Sequence, residues 1–226
     1  MIPYFPQPSW SVGPFTIHAF GAAAAVALVF SYWLTLRRAP AFGIKSTEAG
    51  TVFVAATVMG LAAAWIVARG AGMSGSGLAI GAAAAVGIAA WRRRSWELLD
   101  LFGFVFPFLL VIVRTGCFFA HDHVGRRTDN WLGVQFPGGT RFDLGLQYAL
   151  SAAGVGVVVL IARGRAVPGV LFGIAMALLA ITRLVIVRLG SSISVMDEVV
   201  AGIAFLVGCQ IVLGRILSTR PRSHAA

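Results

Sequence analysis

The sequence RTGCFFAHDHVGRRTDNWLGVQFPGGTRFD occupies residues 114–143, and it separates the apolar runs of the chain into a group before it and a group after it. Charged and titratable side chains are concentrated in its first half: Arg114, His121, Asp122, His123, Arg126, Arg127 and Asp129. Polar residues of this density beside hydrophobic runs are typical of functional segments. We therefore expect any chemistry of the protein to lie in this loop.

The composition around the loop predicts a membrane protein. Hydrophobic residues make up 58% of the 226 residues, charged residues make up only 12%, and the mean hydropathy is +0.87. A soluble domain carries about 25% charged residues. Apolar runs of about 20 residues, the length that spans a bilayer as a helix, recur along the chain. We predict an all-α, polytopic membrane protein with a single transmembrane domain over residues 1–226.

Seven transmembrane helices are expected. The segment 1–13 is rich in proline and aromatic residues, so we do not expect it to be helical. No basic segment precedes the first apolar run, and we therefore expect that run to remain as a span rather than to be cleaved. The predicted spans are residues 15–36, 47–68, 77–91, 98–120, 144–162, 168–188 and 196–216.

The net charge of +10 is distributed in short basic clusters between the apolar runs. Such clusters retain loops on the cytoplasmic side. They are densest after the first, third and fifth spans and in the C-terminal tail, so we predict a cytoplasmic C-terminus, with the N-terminus and the loop outside. No basic face carries interleaved aromatics, and nucleic acid is not an expected partner. Cys117 and Cys209 lie in different spans and suggest neither a disulfide nor a zinc site.

Two arginines are predicted inside spans, where an unpaired charge costs several kcal/mol. Arg114 lies near the end of the fourth span and Arg183 lies well inside the sixth. Each could extend to the outer interface or pair with a carboxylate such as Asp122 or Asp197. Alternatively, both could face a polar cavity and bind an anion such as lipid phosphate, for which the planar guanidinium is suited.

The triplet His121-Asp122-His123 allows three interpretations. The two histidines could share a metal ion, although only Asp129 and Asp143 are near enough to complete such a site, and we predict no metal. One histidine could act as a general base, because an unperturbed imidazole titrates near neutral pH. Both could also be interfacial side chains that hydrogen-bond the loop.

Three further features are candidates for substrate binding. The run GMSGSG at residues 72–77, which contains Ser76, could present free backbone N–H groups to an anion at a helix start. It could equally be a turn with an N-cap. His18 lies early in the first span, at a depth close to the loop, and is either a binding group or a packed hydrogen-bonding residue. Arg141, near the end of the loop, is the third candidate.

Several segments match, in order, the motifs of one family. They are SVGPFTIHAFG (11–21), GAGMSGSGL (70–78), VRTGCFFAHDHVGR (113–126), ITRLVIVR (181–188) and SVMDEVVAG (194–202). The third resembles the signature Gly-Arg-x-Gly-Asn-Phe-x-Asn-x-Glu-x-x-Gly-Arg of bacterial prolipoprotein diacylglyceryl transferases. In that family, a diacylglyceryl group moves from phosphatidylglycerol to the lipobox cysteine of a preprolipoprotein.

The resemblance implies roles for particular residues. Arg114 corresponds to the signature arginine that grips the donor phosphate, Arg183 to the late arginine, and Asp122 to the signature glutamate. The remaining matches are Arg126, His18, Gly116 and Gly125. Several family residues are replaced: the two signature asparagines by Cys117 and Ala120, a histidine by Ser76, a tyrosine by Phe20, and a Tyr-Glu pair by Gln147-Tyr148.

The expected function is therefore transfer of a diacylglyceryl group at the periplasmic side of a bacterial inner membrane, without a cofactor. Arg114 and Arg183 would neutralise the phosphate leaving group. His121 or His123 would take the proton of the incoming thiol, with Asp122 as its partner. The expected partners are phosphatidylglycerol, the preprolipoprotein signal peptide and the membrane. The alternatives are a non-catalytic, lipid-binding relative and a small lipid transporter.

Overall fold

The computed structural model describes residues 1–68, 75–93, 95–164, 167–190 and 195–218. Within these ranges the chain is mostly helical, as predicted. A short 3-10 helix (Ala39–Phe42) directly follows the first α-helix. The α-helices are α1 (Ala19–Arg38), α2 (Ser46–Val67), α3 (Gly75–Arg93), α4 (Trp96–Ala120), α5 (Leu144–Ala162), α6 (Val170–Val187) and α7 (Val195–Ser218).

Six of these helices are long and apolar enough to cross a membrane: α1 with its 3-10 extension, α2, α4, α5, α6 and α7. They agree with the expected spans to within a few residues, except that residues 15–18 form a strand rather than the start of a helix. A polytopic membrane fold is thereby confirmed. The seventh crossing by α3, the orientation of the termini and the single domain stay predictions.

Short strands, which the all-helical prediction did not include, lie at the end of the bundle where α4 stops and α5 begins. Four of them form a sheet in the order β1 (Ile2–Pro3), β5 (Val134–Phe136), β6 (Gly139–Asp143) and β4 (Val124–Arg127). The parallel pairing of β1 with β5 joins the N-terminus to the loop. The other two, β2 (Ser9–Val12) and β3 (Phe15–His18), form an antiparallel hairpin that runs directly into α1.

Helix α4 is central, because it packs against α1, α5 and α6. Two glycines permit the close approach. A Cβ atom on Gly116 would lie 2.6 Å from Cβ of Ala23 in α1, and one on Gly103 would lie 2.7 Å from Cα of Phe172 in α6. Small residues at helix interfaces are typical of membrane proteins, where close packing and hydrogen bonds drive association.

A buried aspartate joins α4 to α6 at the opposite end of the bundle. The carboxylate oxygens of Asp100 accept hydrogen bonds from the backbone N–H groups of Gly169 (2.7 Å) and Phe172 (2.8 Å). The first N–H groups of a helix have no partner within it, and a carboxylate there is also favoured by the helix dipole. This contact fixes the start of α6 relative to α4, and these two helices carry Arg183 and Arg114.

Candidate functional site

Two arginines and one tyrosine from three helices meet at the end of the bundle that carries the strands. Arg114 is in α4, Tyr148 is in α5 and Arg183 is in α6. The guanidinium carbons of Arg114 and Arg183 lie 4.7 Å and 5.2 Å from the centroid of the Tyr148 ring. Nη1 of Arg183 donates a 2.6 Å hydrogen bond to the Tyr148 hydroxyl. The two arginines singled out in the sequence therefore lie around one aromatic ring.

The three side chains lie at similar depth. Arg114 is six residues from the end of α4, Tyr148 is four residues from the start of α5, and Arg183 is four residues from the end of α6. At about 1.5 Å of rise per residue, these positions are roughly 6–9 Å inside the helix ends. All three residues are half-buried. The Arg114–Tyr148–Arg183 cluster thus lies just below the strands.

The cluster holds two positively charged groups close to one ring. Within the described part of the chain, Arg114 forms no ion pair, so the suggested pairing with Asp122 is not observed. A pairing of Arg183 with Asp197 falls outside the described side chains. Each guanidinium is attracted to the face of the tyrosine ring, and two like charges near one another repel. An anion bound between them would reduce that repulsion.

A second group of polar side chains adjoins Arg114. The Arg114 guanidinium lies beside the Cys117 thiol, one turn further along α4. Ligand-type atoms of Cys117, Asp122 and His123 lie within 4.8 Å of one another, and Nε2 of His123 is 3.8 Å from Oδ1 of Asp122. The chain folds back here because His121 ends α4 in the left-handed conformation, with φ 51°. Asp122 and His123 are thereby brought over the last turn of α4.

His121 has different surroundings from His123. Its Nδ1 lies 2.7 Å from Oδ2 of Asp143, and the two side chains are 5% and 0% exposed. Its Nε2 is buried and has no hydrogen-bond partner among the residues that the structure describes. The two histidines of the triplet therefore do not face a common ligand position. Four aromatic rings surround the imidazole of His121, those of Tyr4, Phe5, Phe118 and Phe136.

Asp143 connects His121 to the start of α5. Its Oδ1 accepts a 3.3 Å hydrogen bond from the backbone N–H of Leu146 and so caps the helix that carries Tyr148. Burial raises the pKa of Asp143 above its ordinary value of 3.8, and the hydrogen bond with His121 opposes that rise. The position of the imidazole and the position of the Tyr148 helix are thus fixed by one carboxylate.

An open groove of about 550 Å³ lies between the start of α1 and the end of α4. Thr16 and His18 line it from β3, and Asp122 lines it from the loop. His18 precedes α1 without making a side-chain capping bond, so capping does not occupy its imidazole. The groove brings the two family positions His18 and Asp122 together, next to the Cys117 group.

The other candidates lie around this site. Gly125 and Arg126 belong to β4, where the Arg126 N–H donates a 2.8 Å hydrogen bond to the Leu189 carbonyl just beyond α6. Nη1 of Arg141 donates a 3.4 Å bond to the Gly125 carbonyl, which supports the same strand. Ser76 is in the first turn of α3. The preceding residues 72–74 of that run lie outside the described residues.

Sequence reasoning did not give Tyr148 a role, although it is the residue that the two arginines share. The available signal was a hydroxyl-bearing side chain in the first turns of an otherwise apolar span. It also did not foresee that Cys117 would lie beside Arg114, or that Asp143 would hold His121.

The fold and the site together define an integral membrane protein with paired arginines near one end of its helices. A family model for prolipoprotein diacylglyceryl transferase matches residues 7–214. The chain belongs to the prolipoprotein diacylglyceryl transferase family. No curated protein matches the chain. The resemblance found in the sequence is confirmed, and it covers nearly the whole chain.

Family membership places the protein among the transferases of lipoprotein biosynthesis, which act on lipid and prolipoprotein substrates in the membrane. Together with the six membrane-capable helices, it implies a multi-pass protein of a bacterial inner membrane.

Proposed function

We propose that this protein transfers a diacylglyceryl group from phosphatidylglycerol to the lipobox cysteine of preprolipoproteins, with the donor phosphate bound by Arg114 and Arg183. The observation that carries the proposal is the approach of both guanidinium groups to the Tyr148 ring, at 4.7 Å and 5.2 Å. The family supplies the reaction class, and the arginine pair supplies a place for the phosphate.

A pair of guanidinium groups suits this leaving group for two reasons. Each presents a planar fork of N–H donors that matches two phosphate oxygens. In addition, negative charge on the phosphate grows as its bond to the glyceryl carbon breaks, so contacts with Arg114 and Arg183 strengthen in the transition state. Preorganised charges of this kind lower the barrier without reorganisation during the reaction.

We assign the general base to His123. Its side chain is 47% exposed, and its Nε2 lies 3.8 Å from Oδ1 of Asp122, which is close enough to form an ion pair with the ring after proton transfer. His123 accepts the proton of the incoming thiol, and the sulfur forms a bond to the terminal glyceryl carbon. The bond from that carbon to the phosphate oxygen breaks, and glycerol phosphate leaves with the bonding electrons. His121, enclosed by aromatic rings and bound to Asp143, acts as a positioning residue.

The remaining candidates support these groups. His18 and Asp122 line the groove that receives substrate. Gly116 allows α1 to approach α4 closely, and Gly125 allows β4 to approach the end of α6. Arg126, whose side chain is exposed, is available for the lipid headgroup or the peptide. In the same proposal Arg141 supports β4, and Ser76 contributes at the start of α3.

The site is proposed to face the periplasm. Basic residues cluster at the opposite ends of the helices, at Arg37 and Arg38 of α1, at Arg163 after α5 and at Arg215 of α7. Positively charged segments are retained in the cytoplasm. The end with the strands is then exposed to the compartment in which a preprolipoprotein presents its lipobox cysteine.

A transfer assay tests this proposal. The protein is reconstituted in liposomes that contain phosphatidylglycerol, a lipobox peptide is added, and its mass is followed. We expect a diacylglyceryl mass gain that falls by about 100-fold or more in Arg114→Ala and Arg183→Ala, the usual scale for loss of a charge-stabilising group. Arg127→Ala, which changes an exposed arginine of β4, is the matched control and should retain activity.

Three outcomes would count against the proposal. Transfer from liposomes of phosphatidylcholine alone would contradict the assigned donor. Equal activity in all three arginine variants would contradict the assigned phosphate site. A folded protein that binds phosphatidylglycerol but never modifies the peptide would instead indicate a non-catalytic, lipid-binding member of the family.

A further inference from the structure

The hairpin β2–β3 has one apolar face. Its register places Trp10 opposite Ile17 and Val12 opposite Phe15. Directly opposed residues of antiparallel strands project to the same side, and so do alternate residues of one strand. These four large side chains therefore share a face, and their exposed fractions are 52%, 43%, 60% and 72%. In the described part of the chain, this face is not covered by another element.

The opposite face of the hairpin is polar. It carries Ser9, Ser11, Thr16 and His18, which alternate with the apolar residues along the two strands. Thr16 and His18 line the groove beside Asp122, and Ile17 of the apolar face lines it as well. The hairpin is thus amphipathic, and strand β3 forms one wall of the groove.

The hairpin is continuous with the membrane-crossing part of the protein. Strand β3 ends at His18 and α1 begins at Ala19 without a linker. The Ala19 N–H donates a 3.0 Å hydrogen bond to the Pro8 carbonyl, which ties both ends of the hairpin to the start of α1. In the first turn of α1, Phe20 is 40% exposed and lines the groove.

Charge is missing from this region. Residues 1–36 contain no lysine, arginine, aspartate or glutamate. Apolar surface without charge favours burial in the lipid interface, and tryptophan is particularly suited to that layer. A surface that binds through anionic lipid would instead carry lysine or arginine.

From these observations we infer that the β2–β3 hairpin inserts its apolar face into the interfacial layer of the bilayer and holds the groove at the level of the lipid headgroups. Insertion is driven by burial of apolar surface, so it depends neither on anionic lipid nor on salt. This interaction with the membrane surface goes beyond the proposed transfer reaction and does not require turnover.

Fluorescent labelling tests the inference. The environment-sensitive dye NBD is attached at Phe15→Cys on the apolar face or at Ser11→Cys on the polar face, in a background without Cys117 and Cys209. The proteins are placed in nanodiscs of phosphatidylcholine, with and without phosphatidylglycerol. We expect a blue-shifted emission, quenched by lipids with a doxyl group high on the acyl chain, for the label at position 15 but not at position 11. Salt should not change either result.

A second pair of variants guards against a label that disturbs the hairpin. With the label at position 15, Val12→Asp should abolish the blue shift, whereas Ser11→Asp should leave it. Thermal unfolding of each variant shows whether the fold is retained, and an Ile17→Cys label replaces position 15 if it is not.

Three results would overturn the inference: equal quenching at positions 11 and 15, quenching that requires phosphatidylglycerol, or shielding of position 15 only after lipobox peptide is added. The last would identify the face as a peptide-binding surface. Since no result depends on mass gain, failure here is distinguishable from failure of the proposed transferase function.

Discussion

Replacement of Tyr148 by phenylalanine tests the hydrogen bond within the Arg114–Tyr148–Arg183 cluster. The change removes the hydroxyl that accepts the 2.6 Å hydrogen bond from Arg183, and it keeps the ring beside both guanidinium groups. A hydrogen bond to a charged group contributes about 1.5–3 kcal/mol. At roughly 1.4 kcal/mol per factor of ten, its loss corresponds to about a 10- to 150-fold change. If Arg183 binds the donor phosphate, kcat/KM for transfer should fall by this amount in Tyr148→Phe.

A second variant extends the series. Tyr148→Leu removes the ring as well, and with it two cation–π contacts of about 0.5–2 kcal/mol each. Activity should therefore decrease from the native protein to Tyr148→Phe and decrease further in Tyr148→Leu. Arg114 and Arg183 are proposed to bind the phosphate in the ground state and more strongly in the transition state. Both the apparent affinity for phosphatidylglycerol and kcat should therefore decrease.

The assay is the initial rate of peptide mass gain at several mole fractions of phosphatidylglycerol. Tyr32→Phe is the matched control, because Tyr32 also lies in a span, in α1, and contacts Phe53 rather than the arginines. Unfolding midpoints in detergent identify variants that lose activity through loss of fold. Native rates in folded Tyr148→Phe and Tyr148→Leu would refute the argument that the ring and its hydroxyl position the two arginines.

Three further predictions concern the scaffold. Asp100→Ala leaves two N–H groups at the start of α6 without an acceptor and should lower stability by about 1–2 kcal/mol, measured as the unfolding midpoint in detergent. The pKa of Asp143 is higher in the folded protein than in the unfolded chain, so the free energy of unfolding should fall as pH rises from 3.8 through the raised pKa. Unfolding midpoints measured over a pH series should show this decrease for the native protein. Asp143→Asn should lack this contribution. Gly116→Ala places a Cβ atom 2.6 Å from the Cβ atom of Ala23 and should lower stability by about 1–3 kcal/mol, measured by the same unfolding midpoint. Gly154→Ala is the control and should leave stability unchanged, because no described atom of another element lies within 4 Å of the added Cβ.

Much of the helical fold was predictable because hydrophobic length alone identifies spans. The N-terminal strands were not predicted, although their sequence contains the signal. In SWSV at residues 9–12, polar and apolar residues alternate with a period of two. Residues 15–36 form one continuous apolar run, and for this reason the sequence predicts a helix from residue 15 although residues 15–18 form a strand. The pairing of β1 with β5 links segments more than 100 residues apart, which periodicity does not reveal.

The site was predictable in its charges but not in its geometry. Arg114 and Arg183 are conspicuous because arginine is costly inside a span. Their shared contact with Tyr148 depends on how three helices are rotated and shifted relative to one another. The position of α6 along α4 is set by distant contacts such as the capping of α6 by Asp100. His121 and His123 look equivalent in sequence. They differ because His121 adopts the left-handed conformation, which is uncommon for a residue other than glycine.

The proposed groups are arranged along the path that negative charge follows during the reaction. In the proposed step, negative charge forms on the attacking sulfur near His123 and ends on the phosphate held by Arg114 and Arg183. Cys117, which lies beside Arg114 and within 4.8 Å of the His123 and Asp122 ligand atoms, joins the two groups. Once His123 has accepted the proton, its positive charge adds to those of the arginines, so the site becomes more favourable for the phosphate as the bond breaks. Asp122 offsets part of that charge, and the helices fix the arginines while the loop supplies the base. Proton transfer and departure of the phosphate are therefore mutually reinforcing in this geometry.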